Sequence, residues 1–241
     1  MLRGAIFDLG ETLIHLTVSW EQVREGRIRA IYETLRQNET RLELSDLKRE
    51  YVALHDEESE YAARTYEEIK VEESLAKLLD RLHVNERPEM TKLVNAFFAL
   101  EANSWVVFPG VHEMLGDVRD LGVKMGLLSN ARSDWAVKEI MRRLDLTKYF
   151  DEIVTSAAVG FRKPRPEPFR RIFGLLGLEA SEAVMIGNSI EADVSGARAL
   201  GMKTIHAVFG SEENEKGADP DIVVSRVPDI LPAIKRVAAS A

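Results

Sequence analysis

The chain has no cysteine among its 241 residues. Disulfide bridges, thiolate catalysis and cysteine-ligated zinc are therefore excluded, and the lack of cysteine agrees with a cytoplasmic location. Long apolar runs are also missing, since no stretch reaches the ~18 continuous apolar residues of a membrane span. The first residues, MLRGAIFD, lack the apolar stretch and cleavage site of a signal peptide. We therefore expect no membrane partner.

The chain has fewer basic than acidic residues. Lysine and arginine total 32 against 40 aspartates and glutamates, which gives a formal net charge of −8. Nonspecific nucleic-acid binding requires a basic surface, so we expect no nucleic-acid partner. A small anionic ligand stays compatible with this balance, because a local pocket can be positive on an acidic protein. The polar run EENEKGADP at residues 212–220 is predicted to be a surface loop.

The hydrophobic pattern divides the chain into two kinds of sequence. Residues 3–8 read as a strand, whereas residues from about 20 to 104 show helical spacing and no convincing strand. After residue 110, helices alternate with apolar runs that read as strands, at 123–128, 153–157, 184–187, 203–208 and 222–224. Such alternation predicts βαβ units and a parallel sheet. We therefore predict an α/β core of residues 1–16 and 105–241, interrupted by an all-helical domain of residues 17–104.

Polar residues follow these apolar runs in four short islands: FDLGETL, LLSN, RKPRPEPF and GNSIEAD. Their chemistry-bearing members are, in chain order, Asp8 and Thr12, Ser129 and Asn130, Lys163, and Asn188 and Asp193. Open α/β sheets bind ligands at the carboxyl ends of their strands. A carboxylate, a hydroxyl, an ammonium and an amide–carboxylate pair at that edge could together hold a phosphate and a cation.

Taken singly, each island has a structural interpretation as well. Asp8 is suited to act as a nucleophile or metal ligand, or to cap the next turn. Ser129 and the backbone N–H of Asn130 could bind phosphate oxygens ahead of a helix, or could cap that helix. Lys163 could neutralise an oxyanion, or be a solvated loop charge. The amide–carboxylate pair of the fourth island reads alone as a cap and a surface charge.

Taken together, the islands resemble the motifs of the haloacid dehalogenase superfamily, whose members are mostly phosphatases. The first motif of that family is usually Asp, any residue, Asp, Gly, then Thr or Val. Asp8 matches its nucleophile and Thr12 its threonine. Ser129 matches the phosphate-binding Ser or Thr, Lys163 matches the lysine, and residues 188–193 match the acidic fourth motif.

The resemblance implies a Rossmann-like parallel-sheet core with a helical cap, and a Mg²⁺-dependent phosphatase acting on a small phosphorylated metabolite. It implies a reaction through an aspartyl-phosphate intermediate. The roles that it implies are catalysis by Asp8, Ser129, Lys163 and Asp193, substrate binding by Ser129, Asn130 and Lys163, and metal binding by Asp8, Gly10 and Asn188.

Three positions depart from the family pattern. Gly10 stands where the second aspartate, the usual general acid and base, is expected, and Glu11 replaces the following glycine. Asn188 stands where the fourth motif has a magnesium-ligating aspartate. The Gly10 carbonyl and the Asn188 amide are still hard oxygen ligands, so a weaker metal site is expected. Glu11 either replaces the missing acid and base, or it faces solvent or caps the turn.

These departures leave three classes of function open. The first is a slow phosphatase. The second is a 2-haloacid dehalogenase, which needs neither the metal nor the acid and base but usually carries an aromatic residue where this chain has Gly10. The third is a non-catalytic binding or regulatory relative. We expect selectivity to come from the cap, with His15, Trp20 and Arg24 as candidate contacts on the segment that enters it.

Overall fold

The computed structural model describes residues 1–37, 42–209 and 217–239. Residues 212–216 of the predicted surface loop lie outside the described residues, and its remainder, residues 217–220, forms neither helix nor strand. Within these ranges, every helix is too short or too polar to cross a membrane.

The strands include one parallel sheet and one short pair. In chain order they are β1 (Gly4–Phe7), β2 (Ile14–Leu16), β3 (Trp105–Val107), β4 (Lys124–Ser129), β5 (Glu152–Thr155), β6 (Ala183–Gly187), β7 (Lys203–Ala207) and β8 (Ile222–Val224). Six of them form one sheet in the order β5-β4-β1-β6-β7-β8, and β2 and β3 form a separate two-stranded sheet. Adjacent strands of the larger sheet run parallel. The predicted α/β fold with a parallel sheet is confirmed.

Helices connect the strands and form the inserted segment. They are α1 (Trp20–Arg36), α2 (Leu44–Thr65), α3 (Val71–Arg81), α4 (Met90–Ser104), α5 (Val111–Arg119), α6 (Asp134–Arg143), α7 (Ser156–Val159), α8 (Pro166–Leu176), α9 (Gly196–Arg198) and α10 (Ile230–Ala239). A π-helical turn at Ile190–Ser195 directly precedes α9. Helix α8 begins with Pro166, because proline suits the first helical position.

The chain divides into two compact units. The first comprises Met1–His15 and Val106–Ala241 and contains the six-stranded sheet; the second is Leu16–Trp105. Each boundary lies one residue from the predicted position.

One face of the sheet is covered by α8. Ile6 and Met185 of the sheet share a buried cluster with Phe169 and Ile172 of the helix. Helix and strand approach closely because Gly126 in β4 has no side chain: a Cβ there would lie 2.6 Å from the Cδ1 atom of Ile172. The parallel pairing of β1 with β4, in which Phe7 lies opposite Leu127, places the carboxyl ends of the two strands side by side.

The strand order creates a switch point at β1. The chain leaves β1, returns as β4 on one side of it, and later returns as β6 on the other side. Crevices in open α/β sheets form where connections diverge in this way, at the carboxyl edge. The residues that follow β1, β4 and β6 are therefore the ones placed to form a site.

The second unit is built from α1 to α4. Ser19 begins α1 with a capping box, since its side chain accepts a bond from the Gln22 backbone N–H and the Gln22 side chain accepts one from the Ser19 N–H. Helix α1 packs closely on α4 at Gly26, where a Cβ would lie 2.5 Å from the Leu100 Cδ2 atom. Arg27 and Glu101 form a largely buried ion pair between the same two helices.

One strand end differs from the prediction. The sequence predicts a strand that extends to Ala157, but β5 ends at Thr155, and Ala157 lies in α7. The Thr155 hydroxyl caps α7 by accepting a bond of 3.3 Å from the Ala158 N–H. A capping threonine therefore ends the strand within an otherwise apolar run.

The last residue of β6 is predicted to tolerate no side chain. A Cβ at Gly187 would lie 2.2 Å from the Asp193 Oδ2 atom, so Gly187→Ala must displace that buried carboxylate. We expect the substitution to lower the free energy of unfolding by about 1–3 kcal/mol, the usual cost of overpacking. Urea denaturation followed by circular dichroism measures the change.

The matched control is Gly174→Ala, within α8. A Cβ at Gly174 meets nothing within 4 Å, so this variant should be stabilised, by up to about 1 kcal/mol. Equal stability of the two alanine variants would show that the Asp193 carboxylate moves aside without an energetic cost and that Gly187 is not a steric constraint.

Candidate active site

The ammonium group of Lys163 lies at the centre of the polar residues at the carboxyl edge of the sheet. Its Nζ atom donates to Asp8 Oδ1 at 2.8 Å, to Asp193 Oδ1 at 2.6 Å and to the Leu128 carbonyl oxygen at 2.6 Å. Lys163 is only 3% exposed. A lysine ammonium has three donors, so all three are engaged here. The lysine thus fixes the orientation of both carboxylates.

Each carboxylate is supplied by a different strand end. Asp8 directly follows β1, and its backbone N–H bonds the Ile186 carbonyl oxygen of β6 at 2.9 Å. Asp193 lies in the π-helical turn after β6, where its Oδ2 atom accepts a bond of 3.1 Å from the Ser189 N–H. Gly187 leaves the space into which the Asp193 carboxylate folds back.

Asn130 holds the loop that carries Lys163. Its side-chain Nδ2 donates to the Lys163 carbonyl oxygen at 3.0 Å, and its Oδ1 accepts from the Lys163 N–H at 2.8 Å. The Asn130 side chain is therefore committed to the main chain of Lys163, and its backbone is what could contact a ligand. Ser129, the last residue of β4, is buried at the same edge of the sheet as Asp8.

A second contact links the first and fourth islands. The Thr12 hydroxyl lies 3.2 Å from Asp8 Oδ2 and 3.4 Å from Asn188 Oδ1. The side-chain oxygens of Asp8 and Asn188 therefore face one hydroxyl, and both are hard oxygen atoms of the type that Mg²⁺ prefers. The structure thus brings together the seven residues of the four islands.

One buried residue of this edge is missing from the sequence prediction. The Nε2 atom of His206, in β7, lies 2.7 Å from the Asn188 backbone carbonyl oxygen, and His206 is 7% exposed. The available signal was a single polar imidazole in the run KTIHAVF, which otherwise reads as a buried strand.

The turn after Asp8 strains the backbone at Glu11, one of the departures from the family motif. Glu11 has a φ of 54°, in the left-handed region, and its N–H bonds the Ile14 carbonyl oxygen at 2.7 Å. This conformation costs a residue with a side chain roughly 1–2 kcal/mol, whereas glycine adopts it freely. Glycine is the residue expected here from the motif, so Glu11 carries a backbone strain that the usual residue avoids.

The charged groups of the site are buried, and their negative and positive charges do not balance. Burial alone would lower the pKa of Lys163, but the charges of Asp193 and Asp8 outweigh that effect, so its pKa is raised. The pKa of Asp193 is raised to about 6, above all by burial, with the Lys163 ammonium opposing the shift and the charge of Asp8 adding to it. With both carboxylates ionised, the three groups carry one surplus negative charge.

The simpler structural interpretations of several islands are wrong. Lys163 is buried rather than solvated, and Asp193 is 1% exposed rather than a surface charge. Ser133, not Ser129, caps α6 by accepting a bond of 3.2 Å from the Ala136 N–H. Ser189 likewise caps the π-helical turn.

Acidic residues are sparse around the predicted metal ligands. In the described part of the chain, no group of three or more His, Asp or Glu side chains is arranged to hold a metal ion. The predicted ligand set of Asp8, Gly10 and Asn188 contains a single carboxylate, completed by a backbone carbonyl and an amide oxygen. All three are oxygen donors suited to Mg²⁺, with less negative charge than a site with several carboxylates.

Known proteins resemble the chain over most of its length. The glyceraldehyde 3-phosphate phosphatase of Methanopyrus kandleri is 26% identical over 250 residues, covering 99% of each chain. The phosphoglycolate phosphatase of Salmonella typhimurium is 30% identical over 131 residues, covering 54% of this chain and 51% of that protein. The solved structure of a 2-haloacid dehalogenase from Pseudomonas syringae superposes with a TM-score of 0.70 at 20% identity, covering 98% and 99% of the two chains.

A family model described as a haloacid dehalogenase-like hydrolase matches residues 2–201. That match spans the six-stranded sheet as far as β6 and contains all four polar islands. The chain therefore belongs to the haloacid dehalogenase-like hydrolases.

Proposed function

We propose that the protein is a magnesium-dependent phosphatase that hydrolyses a small phosphomonoester through an aspartyl phosphate on Asp8. The observation that carries the proposal is the buried contact of Lys163 with Asp8 and Asp193. A carboxylate held in one orientation at the carboxyl edge of a parallel sheet is suited to in-line attack on phosphorus. The curated relatives named as phosphatases support the same class of reaction.

The proposed roles follow from the contacts. Attack by an Asp8 oxygen forms a P–O bond and breaks the ester P–O bond, and the leaving oxygen takes a proton from solvent. A water molecule then attacks phosphorus and loses a proton to solvent, the bond between Asp8 and phosphorus breaks, and inorganic phosphate is released. Lys163 holds the Asp8 carboxylate in one orientation, and Asp193 orients Lys163. We propose that Ser129 and the backbone N–H of Asn130 bind phosphoryl oxygens, because Ser129 ends the strand next to β1 and Asn130 follows it.

Charge balance supports a divalent cation. The groups at the centre of the site carry one surplus negative charge, and a phosphomonoester adds up to two more. Approach of the substrate to Asp8 therefore requires an additional positive charge. We propose Asp8, the Gly10 carbonyl and Asn188 as the protein ligands of Mg²⁺, which when bound supplies electrostatic stabilisation of the phosphoryl oxygens.

The proposed substrate is a short phosphorylated metabolite. The relative that aligns over 99% of both chains is named for a three-carbon sugar phosphate, and another relative is named for a two-carbon acid phosphate.

We place the reaction in the cytoplasm, and we propose that residues 17–104 act as a cap that selects the leaving group. A 2-haloacid dehalogenase is the competing enzyme, since loss of two carboxylates suits a reaction that needs no metal.

The first functional prediction concerns Asp8. Asp8→Asn retains the size and shape of the side chain but removes the nucleophilic charge, so phosphatase activity should fall to background. A panel of triose phosphates, phosphoglycolate and nucleotides, assayed with Mg²⁺ for phosphate release, measures the loss. Chloride release from 2-chloroacids, run in parallel, detects the competing reaction.

A matched control is Asp221→Asn. The Asp221 carboxylate accepts bonds from the backbone N–H and the hydroxyl of Thr204, away from Lys163, so this variant should lose stability but not kcat. Retention of most activity by Asp8→Asn with a cooperative thermal transition would eliminate the covalent mechanism. Silence of the wild type in both assays would favour a non-catalytic relative.

A second prediction concerns the metal ligand Asn188. Asn188→Asp adds a carboxylate beside the proposed cation and should tighten Mg²⁺ binding, whereas Asn188→Ala removes the oxygen and should weaken it. Isothermal titration with MgCl₂ compares the three proteins. Equal affinities would place Asn188 outside the metal site.

A third prediction concerns the missing acid and base. Such a group supplies on the order of 10²–10⁴ in rate, so with Gly10 in its place the protein should strongly prefer aryl or acyl phosphates, whose leaving groups depart without a proton, to alkyl phosphates. Among the described residues of this turn, the left-handed conformation falls on Glu11 rather than on Gly10. Gly10→Asp is therefore compatible with the backbone and should narrow the preference.

Glu11 variants test whether Glu11 acts as the general acid and base or whether that group is missing. If Glu11 has taken over the role, Glu11→Gln should slow alkyl phosphates far more than aryl ones. Glu11→Gly removes the backbone strain as well, so it should stabilise the fold by roughly 1 kcal/mol whichever account holds. Equal hydrolysis of both phosphate classes by the wild type, with no effect of Glu11→Gln, would contradict a missing or displaced acid and base.

A further inference from the structure

His206 is buried beside the proposed metal ligand but makes no direct contribution to the predicted chemistry. Its Nε2 atom lies 2.7 Å from the Asn188 carbonyl oxygen. A carbonyl oxygen only accepts hydrogen bonds, so Nε2 carries the hydrogen and donates it. The His206 side chain in β7 is therefore the donor, and the Asn188 main chain just after β6 is the acceptor.

This hydrogen bond lies where the pairing of β6 with β7 ends. The parallel pairing of β6 with β7 runs from Val184 opposite Lys203 to Gly187 opposite His206. Asn188 is the next residue and lies past the last pair. The imidazole thus holds the Asn188 carbonyl at the point where pairing of the two main chains stops.

Asn188 depends on its orientation more than an aspartate would. A carboxylate offers two equivalent oxygens to a cation, whereas an amide offers one oxygen and an NH₂ group that repels the cation. The Thr12 hydroxyl contacts the side chain at 3.4 Å from Oδ1, which is long for a hydrogen bond and orients the amide weakly. The direction of the amide oxygen must therefore be set largely by the main chain of Asn188.

We propose that His206 is a positioning residue that holds the Asn188 main chain so that the single amide oxygen points at the cation. The inference rests on the proposed metal site and deepens it. Residues that orient metal ligands in this way typically contribute 10–100-fold to metal affinity, by keeping the ligand in place without touching the metal. Here the positioning matters more than usual, because the ligand has one usable oxygen.

The test is a double-mutant cycle read by isothermal titration with MgCl₂. His206→Phe retains the ring but lacks the donor, and it should weaken Mg²⁺ binding about 10–100-fold. His206→Gln places an amide N–H near the position of Nε2, and it should restore affinity to within about threefold of the wild type. In the Asn188→Asp background, His206→Phe should cost about threefold or less, because either carboxylate oxygen can ligate.

Controls separate positioning from general damage. His112→Phe removes a ring that bonds Tyr149 instead of a site residue, and it should leave Mg²⁺ affinity unchanged. Thermal unfolding verifies that each variant folds, and His206→Met replaces His206→Phe if the latter shows no cooperative transition.

The outcomes also separate this inference from the proposed function. Equal losses from His206→Phe in the wild-type and Asn188→Asp backgrounds would overturn the positioning role while leaving the metal site intact. A glutamine variant as weak as the phenylalanine variant would do the same. Failure of the wild type to bind Mg²⁺ would overturn the metal site itself, and the role of His206 with it.

Discussion

The structure of the first unit depends on burying one ammonium group between two carboxylates. Removing a charge from water costs several kcal/mol even after relaxation, and only well-placed opposite charges and hydrogen bonds offset that cost. Lys163 meets the requirement with Asp8, Asp193 and the Leu128 carbonyl. These partners follow or belong to β1, β6 and β4. All three hydrogen bonds of Lys163 can therefore form only when the three strands lie in this order with their carboxyl ends at the same edge of the sheet.

The sequence predicted this arrangement to the extent that it follows from strand ends. Asp8 and Asn188 each come directly after a buried apolar run, so their placement on one edge required only the parallel sheet. Lys163 was harder to predict, because a loop lysine between Arg162 and Pro164 reads as solvated. Its burial depends on Asn130, whose paired hydrogen bonds fold the loop back towards β4. Those bonds join residues 33 positions apart, and no local pattern indicates them.

The features that the sequence missed have two physical causes. Strands β2 and β3 have three residues each, too short for a period-two pattern to appear. The contact of His206 with Asn188 exists because β6 and β7 pair in one particular register. A shift by one residue would turn the imidazole to the opposite face of the sheet. Register is set by packing across the whole sheet, so side-chain contacts of this kind are visible only in three dimensions.

Two of the three departures from the family pattern, Gly10 and Asn188, leave the buried ion cluster intact. Replacing Lys163 alone would leave two buried carboxylates without a counter-charge, which typically costs about 3–5 kcal/mol. Replacing Asp8 or Asp193 would leave the buried ammonium with one hydrogen-bond acceptor fewer. Gly10 and Asn188 are neutral, so neither leaves a charge uncompensated. In the proposed mechanism their effect falls on function instead: we expect that Gly10 provides no side chain to donate a proton, and that Asn188 lowers the negative charge available to a cation. The ion cluster holds the proposed nucleophile in place, and we expect the missing proton donor at Gly10 to make hydrolysis slow and selective for good leaving groups.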